Sequence, residues 1–268
     1  MDMDKPRPVL LIDHLRINRD ITILDGINWR IEEGQHWCIL GANGSGKTSL
    51  LNALTAYLTF SSGKIAICGH EYGTTDWREL RKKIGLISSS ILQRIEKSET
   101  AIETVVSGKY AMINYWGEIS DEDRQEAMRI LRQMGCDHLA ERPWRNLSQG
   151  ERQRVCIARA LMMADLWLLL LDEPCAGLDP VARESFLWFM EGIAQRKPSP
   201  ALVLVTHHVE EIMPSFTHVL VIKSGRVLAS GEKKKVLNSA ILSDAFGAEI
   251  KVRQMNSRYK ITIHSQHS

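Results

Sequence analysis

The chain has 268 residues, 44% of them hydrophobic and 25% charged, with a net charge of +2 at pH 7. That length can bury a sizeable core, the composition excludes a disordered or fibrous chain, and so small a charge argues neither for nor against a polyanionic partner. The most apolar segment, LWLLLL at 166–171, is walled by Asp165 and Asp172 and falls far short of the roughly 20 residues that span a bilayer, so any membrane role must be borrowed from a partner.

The first 30 residues carry Asp2, Asp4, Asp13 and Asp20 and predict no secretory leader. A first apolar run at 9–12 predicts a strand. A second at 36–40 runs straight into GANGSGKT, 41–48, and a helical stretch at 46–58. This octapeptide fits G-x-x-x-x-G-K-[ST] in the strand–loop–helix setting that the motif requires. Its glycines let the backbone wrap around phosphates and aim N–H groups at them, and the helix N-terminus adds a favourable dipole. The candidate nucleotide-binding residues are Gly41, Asn43, Gly44, Ser45, Gly46, Lys47, Thr48 and Ser49. Lys47 would reach the β- and γ-phosphates and Thr48 would offer its hydroxyl to Mg2+.

Strands follow at 64–67 and 84–87, the second leading into SSSILQR. Between 90 and 146 charged residues rise, and a helix is predicted over 121–134 with Gly135 at its end, which marks a helical insertion. NLSQGERQR, 146–154, opens the helix predicted at 152–163. Ser148 and Glu151 have the spacing of a capping box, a sufficient reason for both, but Gly150 in the first turn has no such reason.

The runs at 166–171, 201–205 and 218–222 are near-continuous rather than alternating, as in strands buried on both faces of a parallel sheet. Helices predicted at 181–195 and 208–213 complete an α/β alternation. The strand at 166–171 ends in Asp172, a carboxylate suited to hold Mg2+ with Thr48, and in Glu173, a base or orienter for an attacking water. His207 stands just past the strand at 201–205, at the edge where α/β sheets bind ligands, and could contact the γ-phosphate. Two alternating segments around Asn256-Ser257 predict a terminal hairpin. The five cysteines are odd in number, with no C-x-x-C pair, and predict buried thiols in a reducing cytosol.

Taken together, GANGSGKT, LSQGERQR, LLLLDEP, AGLD (176–179) and VTHH come in the order and spacing of the ATP-binding cassette (ABC) ATPases, and the resemblance covers about residues 8–235. It implies a P-loop NTPase fold with a mostly parallel sheet, an antiparallel β subdomain and an inserted helical subdomain. The catalytic core would be 7–89 and 147–230, the helical subdomain 90–146 and the tail 231–268. The resemblance also implies ATP and Mg2+ as cofactors and a head-to-tail homodimer. In that dimer Ser148, Gln149 and Gly150 face the γ-phosphate of ATP held by the partner, and Asp179 sits at the seam. Glu173, His207 and Lys47 would be the catalytic residues.

Two positions depart from the family pattern. No aromatic residue precedes Trp29 to stack on adenine, and the corresponding place falls near Asn18 and Arg19, where an arginine plane could stack instead. The family's glutamine after the strand at 84–87 is Ser89, with Gln93 four residues on, and either is a candidate Mg2+ ligand. The triple serine is similar to molybdate-type and photorepair-type ABC ATP-binding proteins. The expected function is the ATP-hydrolysing subunit of an ABC transporter, cytoplasmic and peripheral on the inner face of the membrane. It would power a separate permease and make no direct contact with nucleic acid. The alternative is a soluble ABC-type switch acting on a nucleic-acid or protein partner.

Overall fold

The structure is a computed structural model that describes residues 8–163 and 165–264. Along the chain the strands are β1 (Leu10–Asn18), β2 (Thr22–Ile31), β3 (Trp37–Leu40), β4 (Ser62–Ile67), β5 (His70–Glu71) and β6 (Ile84–Ser88). They continue as β7 (Leu168–Asp172), β8 (Ala201–Val205), β9 (His218–Lys223), β10 (Arg226–Glu232), β11 (Glu249–Met255) and β12 (Arg258–His264). The helices are α1 (Lys47–Leu54), α2 (Trp77–Arg81), α3 (Ser89–Leu92), α4 (Ala101–Ser107) and α5 (Asp121–Gln133). After them come α6 (Gln149–Leu161), α7 (Pro180–Ala194), α8 (Lys233–Val236) and α9 (Ser239–Phe246). The chain divides into two compact units, Met1–Trp77 with Leu187–Ser268, and Arg78–Phe186.

The first unit holds an antiparallel sheet in the order β2-β1-β4-β5 and the parallel strands β9, β3 and β8, with β10 antiparallel beside β9. In β1 the side chains of Leu10, Ile12, Leu15 and Ile17 are buried while Leu11, Asp13 and Arg16 are exposed, the period of a strand with one wet face. Every residue of β3 and of β8 is buried, so these strands are covered on both faces. β2 is absent from the sequence reading because Asp25, Gly26, Asn28 and Arg30 interrupt its apolar residues. The fold nonetheless buries Leu24, Ile27, Trp29 and Ile31 on one side.

In the second unit β6 and β7 run parallel, in register from Ile84 beside Leu168 to Ser88 beside Asp172. Its helices α4, α5 and α6 start at side-chain caps. Thr100 with Glu103 caps α4, Ser120 caps α5, and Ser148 with Glu151 caps α6.

The helix predicted at 208–213 is instead a single 3-10 turn, Val209–Glu211. Pro214 follows Met213 and disfavours helical backbone there, while Val209, Ile212 and Met213 are all buried. The helix predicted at 46–58 ends at Leu54, where the Thr55 hydroxyl donates back to the Leu51 carbonyl.

Candidate functional site

The first unit places the phosphate-binding loop and His207 on one sheet edge. Ile39 of β3 lies beside Val205 of β8, and the Thr206 N–H donates to the Ile39 carbonyl at 3.2 Å, so both loops leave the carboxyl ends of neighbouring parallel strands. Two glycines of the loop answer to crowding as well as to backbone angle. A Cβ at Gly41 would stand 2.3 Å from the Ile222 carbonyl oxygen, and one at Gly46, whose φ is 107°, 2.5 Å from Leu24 Cδ2.

Gly46 begins α1 with no side-chain cap, which leaves the first-turn N–H groups of the helix for an anion. Lys47 is buried, and its Nζ donates to the carbonyls of Gly41 at 2.8 Å and Ala42 at 2.9 Å, folding back across the loop. The Ser45 hydroxyl is buried without a hydrogen-bond partner, an orphan that a phosphate oxygen would satisfy. Asn43, Gly44 and Thr48 are exposed and Ser49 is half-buried.

His207 is half-buried, with its ring 4.0 Å from that of His208. The turn that follows is tied down from within. The Thr206 hydroxyl donates to the Glu211 carboxylate at 2.6 Å, and the His208 N–H donates to the Thr206 hydroxyl at 3.0 Å.

The second unit holds Asp172, Glu173, Ser148, Gln149, Gly150 and Asp179. Asp172 ends β7 half-buried. Glu173 follows with a φ of 47°, a left-handed conformation uncommon for a residue with a side chain, of the kind that accumulates at functional sites. Ser88, which sequence reading passed over, is the residue in register with Asp172. It is buried, and its hydroxyl shares a 2.8 Å hydrogen bond with that of Ser90. The predicted strand stopped at 87, one residue short of the end of β6. Ser89 begins α3, but its side chain lies outside the described residues, and Gln93 is exposed in the turn after that helix.

At the start of α6 the capping box is present. The Ser148 N–H donates to the Glu151 carboxylate at 2.7 Å, and the Glu151 N–H to the Ser148 hydroxyl at 3.3 Å. The Ser148 N–H above all, then the Ser148 hydroxyl and the nearby Arg142 and Arg154, hold the Glu151 carboxyl below its ordinary pKa against the opposing effect of burial. Ser148 and Gln149 are exposed, and the Gln149 amide donates to the Ala176 carbonyl at 2.6 Å, joining this helix start to AGLD. Asp179 is the N-cap of α7, its Oδ1 accepting from the N–H groups of Val181 at 2.9 Å and Ala182 at 3.0 Å, with Pro180 as the first helical residue.

Gly150 differs from the loop glycines. A Cβ there would make only ordinary contacts, 3.8 Å to Leu178 Cδ2 and 3.9 Å to Ala182 Cβ. Neither crowding nor a left-handed backbone within the chain requires a glycine at this point.

An ABC transporter family model matches residues 24–176. The ABC transporter ATP-binding protein YlmA of Bacillus subtilis is 44% identical over 246 residues, 91% of this chain and 93% of that protein. This chain belongs to the ABC transporter family. Its fold is that of ABC ATPase cassettes. It is similar to cbiO1 of Clostridium perfringens, part of the ABC transporter complex cbiONQ, with a TM-score of 0.73 and 28% identity over 89% of this chain and 94% of that one. It is also similar to the cassette MJ0796 in a dimeric post-hydrolysis state bound to ADP and Pi, with a TM-score of 0.72 and 25% identity over 83% of this chain and 98% of that one. The chain is thus an ABC transporter ATP-binding protein, from a family that hydrolyses ATP.

Near the expected place of an adenine-stacking aromatic, Asn18 ends β1 and Arg19 lies in the turn after it. The Arg19 guanidinium donates to the carbonyls of Asn18 and Thr59, each at 2.7 Å, and Ile21 in the same turn is 73% exposed. Among the described residues no helix is long and apolar enough to cross a membrane.

Proposed function

We propose that this cassette hydrolyses ATP as a head-to-tail homodimer and thereby powers a separate membrane permease from the inner face of the membrane. The observation that carries the reading is Gly150. A glycine in the first turn of a helix costs stability relative to alanine, and nothing within the chain needs it. A bare backbone beside exposed Ser148 and Gln149 suits close approach by an anion from outside the chain, the γ-phosphate of ATP bound by a second copy.

The phosphate-binding loop would hold the triphosphate through its backbone N–H groups, with Lys47 swinging from the Gly41 and Ala42 carbonyls to the β- and γ-phosphates. The Thr48 hydroxyl and the Asp172 carboxylate are hard oxygen donors that suit Mg2+, which when bound offsets the charge on those phosphates. Glu173 would take a proton from the attacking water as its oxygen bonds to the γ-phosphorus and the bridging oxygen leaves with ADP. His207 would donate to a γ-phosphate oxygen. Ser148 and the backbone at Gly150 would complete the partner's site, and Asp179 would lie at the seam. Ser88, buried beside Asp172, is a stronger candidate for the missing glutamine's role than Gln93, which is exposed.

Substituting Glu173→Gln is expected to abolish turnover and trap an ATP-bound dimer, seen by phosphate release and by size-exclusion chromatography with ATP and Mg2+. In mild detergent the trapped dimer should co-purify with a protein carrying several apolar spans of about 20 residues. Hydrolysis at the wild-type rate would show that Glu173 is not the catalytic base.

A further inference from the structure

The geometry points to Arg258, on the tail hairpin, as a positioning residue for His207, so that the C-terminal hairpin sets the rate of ATP hydrolysis; this rests on the reading of His207 as the γ-phosphate contact. The hairpin is stiff. β11 and β12 pair without a break from Ile250 beside Ile263 to Met255 beside Arg258, closed by Asn256 and Ser257 at φ 48° and 64°, the two left-handed residues of a type I′ turn.

It is also anchored at its open end. The Val252 N–H donates to the Ser239 hydroxyl at 3.0 Å and the Ile250 N–H to the Ser243 hydroxyl at 2.9 Å, both on α9. Ile250 and Tyr259 are buried. A two-stranded ribbon alone is marginal in water, so these contacts are what make it a fixed lever.

At the turn end, Arg258 reaches the histidine loop. Its Nε donates to the Glu210 carbonyl at 3.1 Å, and its Nη2 donates to the same oxygen. Glu210 is the middle residue of the 3-10 turn, three residues after His207. The residues flanking His207 belong to the same locked turn, Thr206 through its bond to Glu211 and His208 through its bond to Thr206. Arg258 therefore clamps from outside the segment that these bonds hold from within. Releasing it frees the Glu210 peptide and, through Glu211 and Thr206, the backbone that aims His207. The phosphate-binding loop sits on its own strand and helix, so nucleotide affinity is expected to be spared.

The test uses the full chain and compares Arg258→Ala, Arg258→Lys and His207→Ala, singly and with Arg258→Ala placed on His207→Ala. Arg258→Ala should lower kcat on the order of tenfold, with KM for ATP changed less than about twofold and the melting temperature nearly kept. Arg258→Lys, which can still donate to the carbonyl, should recover part of the loss. On His207→Ala the further loss of Arg258 should change nothing, because a residue acting through His207 has nothing left to position. If Arg258→Ala does not fold, Arg258→Gln takes its place in every comparison. A wild-type kcat in the arginine variant, or an equal loss with and without His207, overturns the inference while leaving the reading of His207 intact. Wild-type hydrolysis by His207→Ala itself overturns that reading, and the inference with it.

Discussion

Replacing Gly150 with alanine separates what the fold needs from what the reaction needs. Gly150 is the second residue of α6, and its added methyl group would touch Leu178 and Ala182 at ordinary van der Waals distance. Alanine is favoured over glycine within a helix by about 0.5–1 kcal/mol, nearer the lower value in a first turn. A gain of that size raises the melting temperature of a protein this large by roughly 1–4 °C. The same methyl group would stand between the helix start and an anion approaching from a second copy. Hydrolysis should then fall on the order of a hundredfold, as when a donor to a reacting oxyanion is lost, while ATP binding to the isolated subunit stays near wild type. Thermal melting followed by circular dichroism, phosphate release, and size-exclusion chromatography of the variant combined with Glu173→Gln supply the readouts. A more stable protein that hydrolyses ATP at the wild-type rate would refute the role of close approach. A lower melting temperature would refute the claim that the chain itself has no use for this glycine.

Other perturbations test neighbouring steps. Asp179→Ala removes the acceptor of the Val181 and Ala182 N–H groups and should cost about 1 kcal/mol of stability, whereas Asp179→Asn, an equally good cap, should cost much less. Equal urea midpoints for the two variants would count against the cap. Glu99 in the second unit has its pKa pushed up to about 7, chiefly by burial and further by Glu103 and Glu96, against the opposing pull of Thr104 and Arg159. A carboxyl whose folded pKa is raised stabilises the fold most when protonated, and that contribution is lost as pH rises from about 4.5 through 7. Glu99→Gln should therefore match wild type near pH 4.5 and exceed it by on the order of 2 kcal/mol at pH 8. Parallel stability–pH curves for the two proteins would contradict the burial of that charge.

What was legible in the sequence is what local chemistry dictates. The octapeptide from Gly41 to Thr48 announces its loop because the glycines and lysine must be contiguous to wrap a phosphate, and the runs ending at Asp172 and before His207 announce strands because both of their faces are buried. The capping box at Ser148 was equally plain, since it is complete within four residues, although α6 starts at Gln149, three residues before the predicted 152. Other features needed the tertiary structure. β2 is a strand because the sheet buries alternate residues of a segment whose own composition is mixed. The turn after His208 stops short of a helix because its apolar residues are claimed by the core. Ser88 pairs with Asp172 only through strand register, across 84 positions, and Arg258 meets Glu210 only because the tail folds back over 48 residues. Gly150 combines the two cases. The sequence displays the glycine, but only the space around its Cα reveals that folding has no need of it, because steric demand is set by neighbours distant in the chain.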